Sequence, residues 1–245
     1  MRKELMKNPA DLKQSLTDVF SRINNELRLI DSDGCGSTAC VVIVRKEGPS
    51  NILYVANVGD SRAVLSKSGQ AERMSVDDKC DNADENLRVK SGGGIILDNR
   101  LGGVLAVTRA FGDHALTRVG LIVTPHIVKY TVKPFDKYLV IASDGIWDEL
   151  SDQDAIALCQ DDISTKQIAL TIVKTALTRG SKDNISVIVL KFNGATGATF
   201  WYASHESDRS EELADKLIYQ LTLKFFREKF LQTKSDLFEN LSYSS

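Results

Sequence analysis

Tyr138-Leu-Val-Ile-Ala-Ser-Asp-Gly-Ile-Trp-Asp148 starts as an apolar run, breaks at Ser143 and continues as a mix of acid, glycine and aromatic residues. The run reads as a strand and the break as its end, so Asp144 is lodged at a strand terminus beside Gly145. Two further aspartates share that placement. Asp60 follows the strand-like stretch ending Val58-Gly59 and precedes Ser61-Arg62, and Asp183 lies in Arg179-Gly-Ser-Lys-Asp-Asn184, at the mouth of another apolar run. A carboxylate at the end of a buried strand must be paired, must cap a turn or must bind a metal, because an isolated buried charge is prohibitively costly. Each aspartate alone has an ordinary reading, since Asp-Gly and Asp-Asn are common turn pairs. Together they would repel one another, and a divalent cation is the simplest partner that reconciles them. Ligation by oxygen alone favours Mg²⁺ or Mn²⁺ over zinc.

Outward from this stretch the pattern is of strands in runs with helices between and after them. Asn8-Pro9 supplies an N-cap and a first-turn proline, and Leu12, Leu16, Val19, Phe20, Ile23 and Leu27 recur at helical spacing. Strand-like runs cover 38–44, 52–58, 63–65 and 71–74, spaced about ten residues apart and separated by Gly-Pro-Ser and Ser-Gly turns. A short helix is expected at 84–91, stopped by Gly92-Gly93-Gly94, with strands again at 127–132 and 138–142. Ser151 with Asp154 and Ser164 with Gln167 stand at capping-box spacing, and Gly180 closes the second of these helices. Residues 184–192 are apolar on both faces, which fits a central strand in a stacked core. The expected fold class is α+β, two packed antiparallel sheets with helices outside.

Composition narrows the function. The chain has 245 residues, 42% hydrophobic and 26% charged, with a net charge of -2. That length suits one domain, or one domain and an appendage. The near-neutral balance offers no electrostatic footprint for nucleic acid or for an anionic membrane. No apolar run approaches a spanning helix and no signal peptide is visible, so a cytoplasmic or nuclear protein is expected. Cys35, Cys40, Cys80 and Cys159 form neither a disulfide framework nor a C-x₂-C pair, and none begins the Cys-x₅-Arg loop of thiolate phosphatases. The residues divide as an expected domain over 1–195 and an appendage over 196–245, a linker at 193–199 leading to a tail helix from Ser210. Leu213, Leu217, Leu221 and Phe225 give that helix an apolar stripe, which packs on its own domain or binds a regulatory partner.

Five segments, in order, give a sharper reading: Gly36-Ser-Thr-Ala39; Tyr54-Val-Ala-Asn-Val-Gly-Asp-Ser-Arg-Ala-Val-Leu65; Gly103-Val-Leu-Ala-Val-Thr-Arg-Ala-Phe-Gly-Asp113; Leu139-Val-Ile-Ala-Ser-Asp-Gly-Ile-Trp-Asp148; and Arg179-Gly-Ser-Lys-Asp-Asn-Ile-Ser-Val-Ile-Val189. They resemble the successive motifs of the metal-dependent protein phosphatases of the 2C type, over about residues 10–192. The resemblance implies a four-layer αββα fold and hydrolysis of phosphoserine and phosphothreonine in proteins by metal-activated water, with no nucleophile from the protein. It implies two or more Mg²⁺ or Mn²⁺ ions, with fewer expected here. Asp144 and Asp183 resemble the carboxylates that hold the first catalytic metal, with Gly145 permitting close backbone approach. Asp60 and Asp148 resemble the aspartates of a weaker third metal, and Arg109 and Asp113 fall in the stretch leading to the flap or substrate region.

The resemblance also implies features for which this chain shows no match: first strands carrying an Arg and a Glu, and an Asp-Gly-His-Gly motif whose Asp bridges two metals. Asp33-Gly34-Cys35-Gly36 has no His and abuts Ser37-Thr38, and Val76-Asp-Asp-Lys79 stands where the family tends to Asp-His-Lys. The expectation is therefore an N-terminally incomplete or degenerate phosphatase domain with weak or no turnover as this chain. The alternative is a pseudophosphatase or regulatory scaffold that binds without turnover.

Overall fold

A computed structural model describes residues 11–29, 34–193 and 198–204, without the side chains of 198–200 and 204. Helix α1, Leu12–Arg28, is capped by Asp11, whose side chain accepts the Gln14 N–H at 3.0 Å. Residues 8 and 9 lie outside the described residues, and Asp11 supplies the cap expected of Asn8 because its carboxylate meets a free first-turn donor. Two-residue β1, Gly36–Ser37, precedes the long hairpin of β2, Ala39–Glu47, and β3, Ser50–Val58. Strands β4, Arg62–Lys67, and β5, Gln70–Arg73, form a second hairpin, followed by α2, Ala83–Ser91. Three two-residue strands follow: β6, Ile96–Leu97; β7, Arg100–Leu101; and β8, Phe111–Gly112. A 3₁₀ turn, His114–Val119, leads to β9, His126–Thr131, and β10, Asp136–Ala142. Helices α3, Asp144–Trp147, α4, Asp152–Ala157, and α5, Thr165–Arg179, precede β11, Ser186–Phe192, and β12, Ala198–Ser204.

Two main antiparallel sheets result, one in the order β2-β3-β9 and one in the order β12-β11-β10-β4-β5, with β1-β8 and β6-β7 as separate two-stranded pairs. Strand alternation distributes side chains to three cores. Ala63 and Leu65 of β4 and Leu139 of β10 face Leu53 and Val55 of β3 between the sheets. Their neighbours Val64 and Val140 point the other way, onto Ile146 of α3, Ile156 of α4 and Ile168 and Ile172 of α5. On the far side, Leu12, Leu16 and Phe20 of α1 cover Val41, Ile52, Tyr54 and Ala56. The fold is thus the expected α+β stack of two antiparallel sheets between helical layers. Central strands read as apolar on both faces because they have a hydrophobic layer on each side. Both expected capping boxes form, at Ser151–Asp154 and Ser164–Gln167, and Gly180 ends α5 with a left-handed φ of 106°.

The linker expected at residues 193–199 differs from the structure. Residues 198–204 form β12, which pairs with β11 from Phe192↔Ala198 to Ser186↔Ser204. The β-prone run Thr199-Phe-Trp-Tyr202 pairs despite the Gly and Ala that precede it in sequence, and Trp201 packs against the α5 side of the sheet with the Lys166 ammonium 4.9 Å from its ring. The tail helix expected from Ser210 lies outside the described residues.

Truncating Leu139, fully buried between the sheets, tests this layering. Leu139→Ala should cost about 3 kcal/mol by lost transfer energy plus a cavity, read as a lower urea midpoint with an unchanged slope.

Candidate metal centre

The end of β10 is tied to the start of β11. Ser143 donates its N–H to the Ser186 carbonyl at 3.1 Å, donates its hydroxyl to the Asn184 carbonyl at 3.1 Å, and accepts the Ser186 N–H on the same hydroxyl at 3.1 Å. These bonds set Asp144, the first residue of α3, beside the 181–184 turn. A Cβ on Gly145 would stand 2.7 Å from the Asn184 carbonyl oxygen, so only glycine lets α3 lie this close. Ser181 closes the contact by donating its hydroxyl to the Gly145 carbonyl at 2.8 Å. Each carboxylate is steadied by the next amide: Gly145 N–H to Asp144 Oδ1 at 3.0 Å and Asn184 N–H to Asp183 Oδ1 at 2.6 Å.

Asp60 arrives from the turn before β4. Gly59 adopts φ 90°, and a Cβ there would fall 2.3 Å from Thr38 Cγ2, so the turn requires glycine. Asp60 is buried, and burial, followed by the charge of Asp144, pushes its carboxyl up to about 6 against the pull of Lys79. Burial also raises Asp144, with Asp183 and then Asp148 adding to the rise. Asp144 is thus raised by Asp183 and Asp148 and in turn raises Asp60. Lys79 reaches in from the 77–79 turn, its Nζ 3.2 Å from Asp148 Oδ1 and 3.9 Å from Asp60 Oδ2. Burial would lower the Lys79 ammonium, but Asp148 and Asp60 hold it above its usual value, so it is charged. Gly145, Asp148 and Asp183, with Glu149, Ser181 and Lys182, line a depression of about 300 Å³. Among the described residues, no three of these four aspartates bring oxygens within 4.8 Å of one another. The arrangement is an open cluster of oxygen donors in which Asp60 and Asp144 are raised by burial and then by neighbouring acids. A hard divalent cation relieves that repulsion, so the donor set fits one.

The structure groups Asp144, Gly145, Asp148, Asp183 and Asp60, and gives Arg109 and Asp113 other contacts. Arg109 is buried, with Nη2 2.6 Å from Glu85 Oε1, Nε 3.1 Å from Glu85 Oε2, and Nη1 2.7 Å from the Thr124 carbonyl. No Arg109–Asp113 pair forms among the described contacts. Asp113 instead takes a left-handed φ of 44° and lies against the backbone of Gly36, where a Cβ would meet its Oδ2.

Sequence reasoning overlooked Lys79 and a second charged cluster. Asp78 is fully buried, accepts the Gly59 N–H at 2.8 Å, and lies 3.1 Å from His126 Nε2 and 3.4 Å from Arg109 Nε. His126 Nε2 is also 3.7 Å from Glu85 Oε1. Asp78 and then Glu85 push His126 up to about 9, so it is an imidazolium at neutral pH. Burial would raise Glu85, yet His126, Arg109, Arg88 and Thr108 hold its carboxyl well below the usual range. Donor atoms of Asp78, Glu85 and His126 lie within 4.8 Å of one another, a spacing suited to a metal. Here, however, Arg109 and the imidazolium already balance the charge of the two carboxylates, although Asp78 Oδ1 and His126 Nε2 make no well-aligned hydrogen bond. The signal in the sequence was thin: an Asp-Asp-Lys turn and a lone His far along the chain.

A stacked αββα core whose strand ends carry an oxygen-only acidic site defines the class. A protein-family profile described as Protein phosphatase 2C matches residues 2–185, and the chain belongs to that family. It is 38% identical over 199 residues to Probable protein phosphatase 2C 76 of Arabidopsis thaliana, covering 77% of this chain and 46% of the relative. It is 35% identical over 195 residues to Protein phosphatase 2C homolog 1 of Saccharomyces cerevisiae, covering 74% of this chain and 68% of the relative. The chain thus spans about half the length of the plant relative. The crystal structure of serine-threonine phosphatase 2C from Toxoplasma gondii shares the fold, with a TM-score of 0.64 and 24% identity over 77% of this chain and 70% of that one.

The cluster around His126 predicts a pH dependence. The folded-state value, about 9, lies above the ordinary 6.5, so its contribution is fully present below pH 6.5 and is lost as pH rises through about 9. Urea midpoints of the wild type and His126→Gln should therefore differ most at low pH and converge above pH 9. A constant difference across that window would refute the assignment.

Proposed function

We propose that the chain is a metal-dependent phosphatase domain acting on phosphoserine and phosphothreonine in proteins, with Asp144 and Asp183 holding the first Mg²⁺ or Mn²⁺. Asp60 and Asp148 take a weaker outer cation. The observation that carries this reading is the setting of Asp144: burial first, then the charges of Asp183 and Asp148, raise its carboxyl, and neither Asp144 nor Asp183 forms an ion pair among the described residues. Carboxylates kept close and unpaired are the signature of a site built for a cation. The catalytic unit extends through β12, beyond the expected boundary at residue 195.

When bound, divalent cations supply Lewis-acid activation of water and neutralise charge on the phosphoryl oxygens. The rest falls to the chain's own groups. Ser143 and Gly145 hold Asp144 in register with Asp183, so that distant segments present oxygens to one place. No side chain is asked to act as nucleophile. Burial pushes the thiols of Cys40 and Cys159 up to about 12, which fits chemistry that does not use a thiolate.

On the full chain, Mn²⁺ should release phosphate from a phosphothreonine peptide, EDTA should stop the release, and Mn²⁺ should restore it. Asp144→Asn and Asp183→Asn should each lower both Mn²⁺ affinity and turnover by at least the ~10–100-fold that loss of a supporting partner costs. Release that ignores EDTA, or survives both substitutions, would sink the reading.

A further inference from the structure

Lys79 is the one ion-pair partner that Asp60 and Asp148 have among the described residues, and it serves both. Its backbone is firmly held. Lys79 forms an antiparallel bridge with Val107, Cys80 donates its N–H to the Ala106 carbonyl at 3.4 Å, and Thr108 donates its N–H to the Asp78 carbonyl at 2.7 Å. The preceding residue, Asp78, is locked into the buried ion network and receives the N–H of Gly59, the neighbour of Asp60. The lysine stem therefore starts from a fixed point and delivers its ammonium between two carboxylates that lie on different segments. Among the described residues neither Asp144 nor Asp183 forms an ion pair, and the Lys79 charge acts on Asp144 only from beyond ion-pair distance.

We propose that Lys79 is a tethered competitor for the outer cation position, so that a divalent ion binds between Asp60 and Asp148 only by displacing its ammonium. The inference rests on the metal-site reading above and adds an order of loading to it. The inner position at Asp144 and Asp183 fills first, because no resident charge must leave. The outer position fills later and weakly, because the incoming ion gains two carboxylates only after their existing cation is removed. The displaced ammonium has a place to go. Lys79 also lines an open cleft of about 570 Å³ with Asp81 and Asn82, into which the ammonium can swing and be solvated. Arg62 and Arg73 line the same cleft, but Arg62 is committed to Asp77 and Asp152 and Arg73 to Asp152, so neither replaces Lys79 at the outer position.

Calorimetric Mn²⁺ titration of the full chain, in wild type, Lys79→Met and Lys79→Arg, separates the two positions. Removing an opposite charge this close to a carboxylate changes its affinity for a cation by roughly tenfold or more. In Lys79→Met the weaker binding step should tighten by about that factor, or become measurable where the wild type shows none, while the tight step changes much less, since Lys79 acts on Asp144 without pairing with it. Lys79→Arg, which keeps the charge, should resemble the wild type. Adding Asp148→Asn to Lys79→Met should abolish the gain. Urea midpoints of the three proteins establish that each is folded. A weaker step that is unchanged or weakened in Lys79→Met overturns the inference and leaves the inner site standing. Loss of the tight step from the wild type, or its persistence in Asp144→Asn, overturns the metal-site reading itself and this inference with it.

Discussion

Everything near the acidic edge depends on the join between β10 and β11. Three hydrogen bonds to Ser143, and the absence of a Cβ at Gly145, hold the start of α3 against the 184–186 backbone. That join works against an electrostatic gradient, since Asp144 is raised by the very acids it brings close. Backbone bonding and the buried layer of Ile146, Val187 and Ile172 beneath it provide the restoring force. Stability stored in the core thus keeps charges together that would otherwise separate, a common use of fold stability at functional sites.

The segment 77–79 links this edge to the rest of the molecule, with consecutive side chains serving different partners. Asp77 binds Arg62, whose guanidinium also reaches Asp152 and stands 5.1 Å from the Trp147 ring. Asp78 turns inward to His126 and Arg109, and Lys79 reaches Asp60 and Asp148. Arg109 in turn joins Glu85 of α2 to the Thr124 carbonyl just before β9. One short turn therefore couples the sheet edge, the helix after it and the stretch that precedes β9. Asp78 also holds the N–H of Gly59, the residue before Asp60.

Much of this was legible in the sequence because the signals were local. Apolar alternation located β2, β3, β4 and β10, and Ser-x-x-Asp and Ser-x-x-Gln located the starts of α4 and α5. Asp60, Asp144 and Asp183 stood out because each ends an apolar run beside glycine. The partners that complete the picture are long-range: Lys79 meets Asp148 across 69 positions and Arg109 meets Glu85 across 24. No periodicity encodes such pairs, so the Glu85 partner of Arg109 was not foreseen. The strand β12 was missed for a different reason, since its pairing with β11 overrides a Gly- and Ala-rich approach that reads as linker.

The carboxylates sort themselves by their partners. Asp152 and Glu85 face arginines, and despite burial both are held below the usual range. Asp60 and Asp144 face other acids, with a single shared lysine near them, and both are raised. Asp78 shows why direction alone is a poor guide: burial raises it although His126 and Arg109 stand beside it. What separates Asp78 from Asp144 is the company each keeps, two committed cations in one case and two like charges in the other. A network whose charges already cancel gains little from an added ion, whereas one in which like charges are held together gains much. That difference, more than the number of acids, distinguishes the site that can take a metal from the cluster that holds the fold.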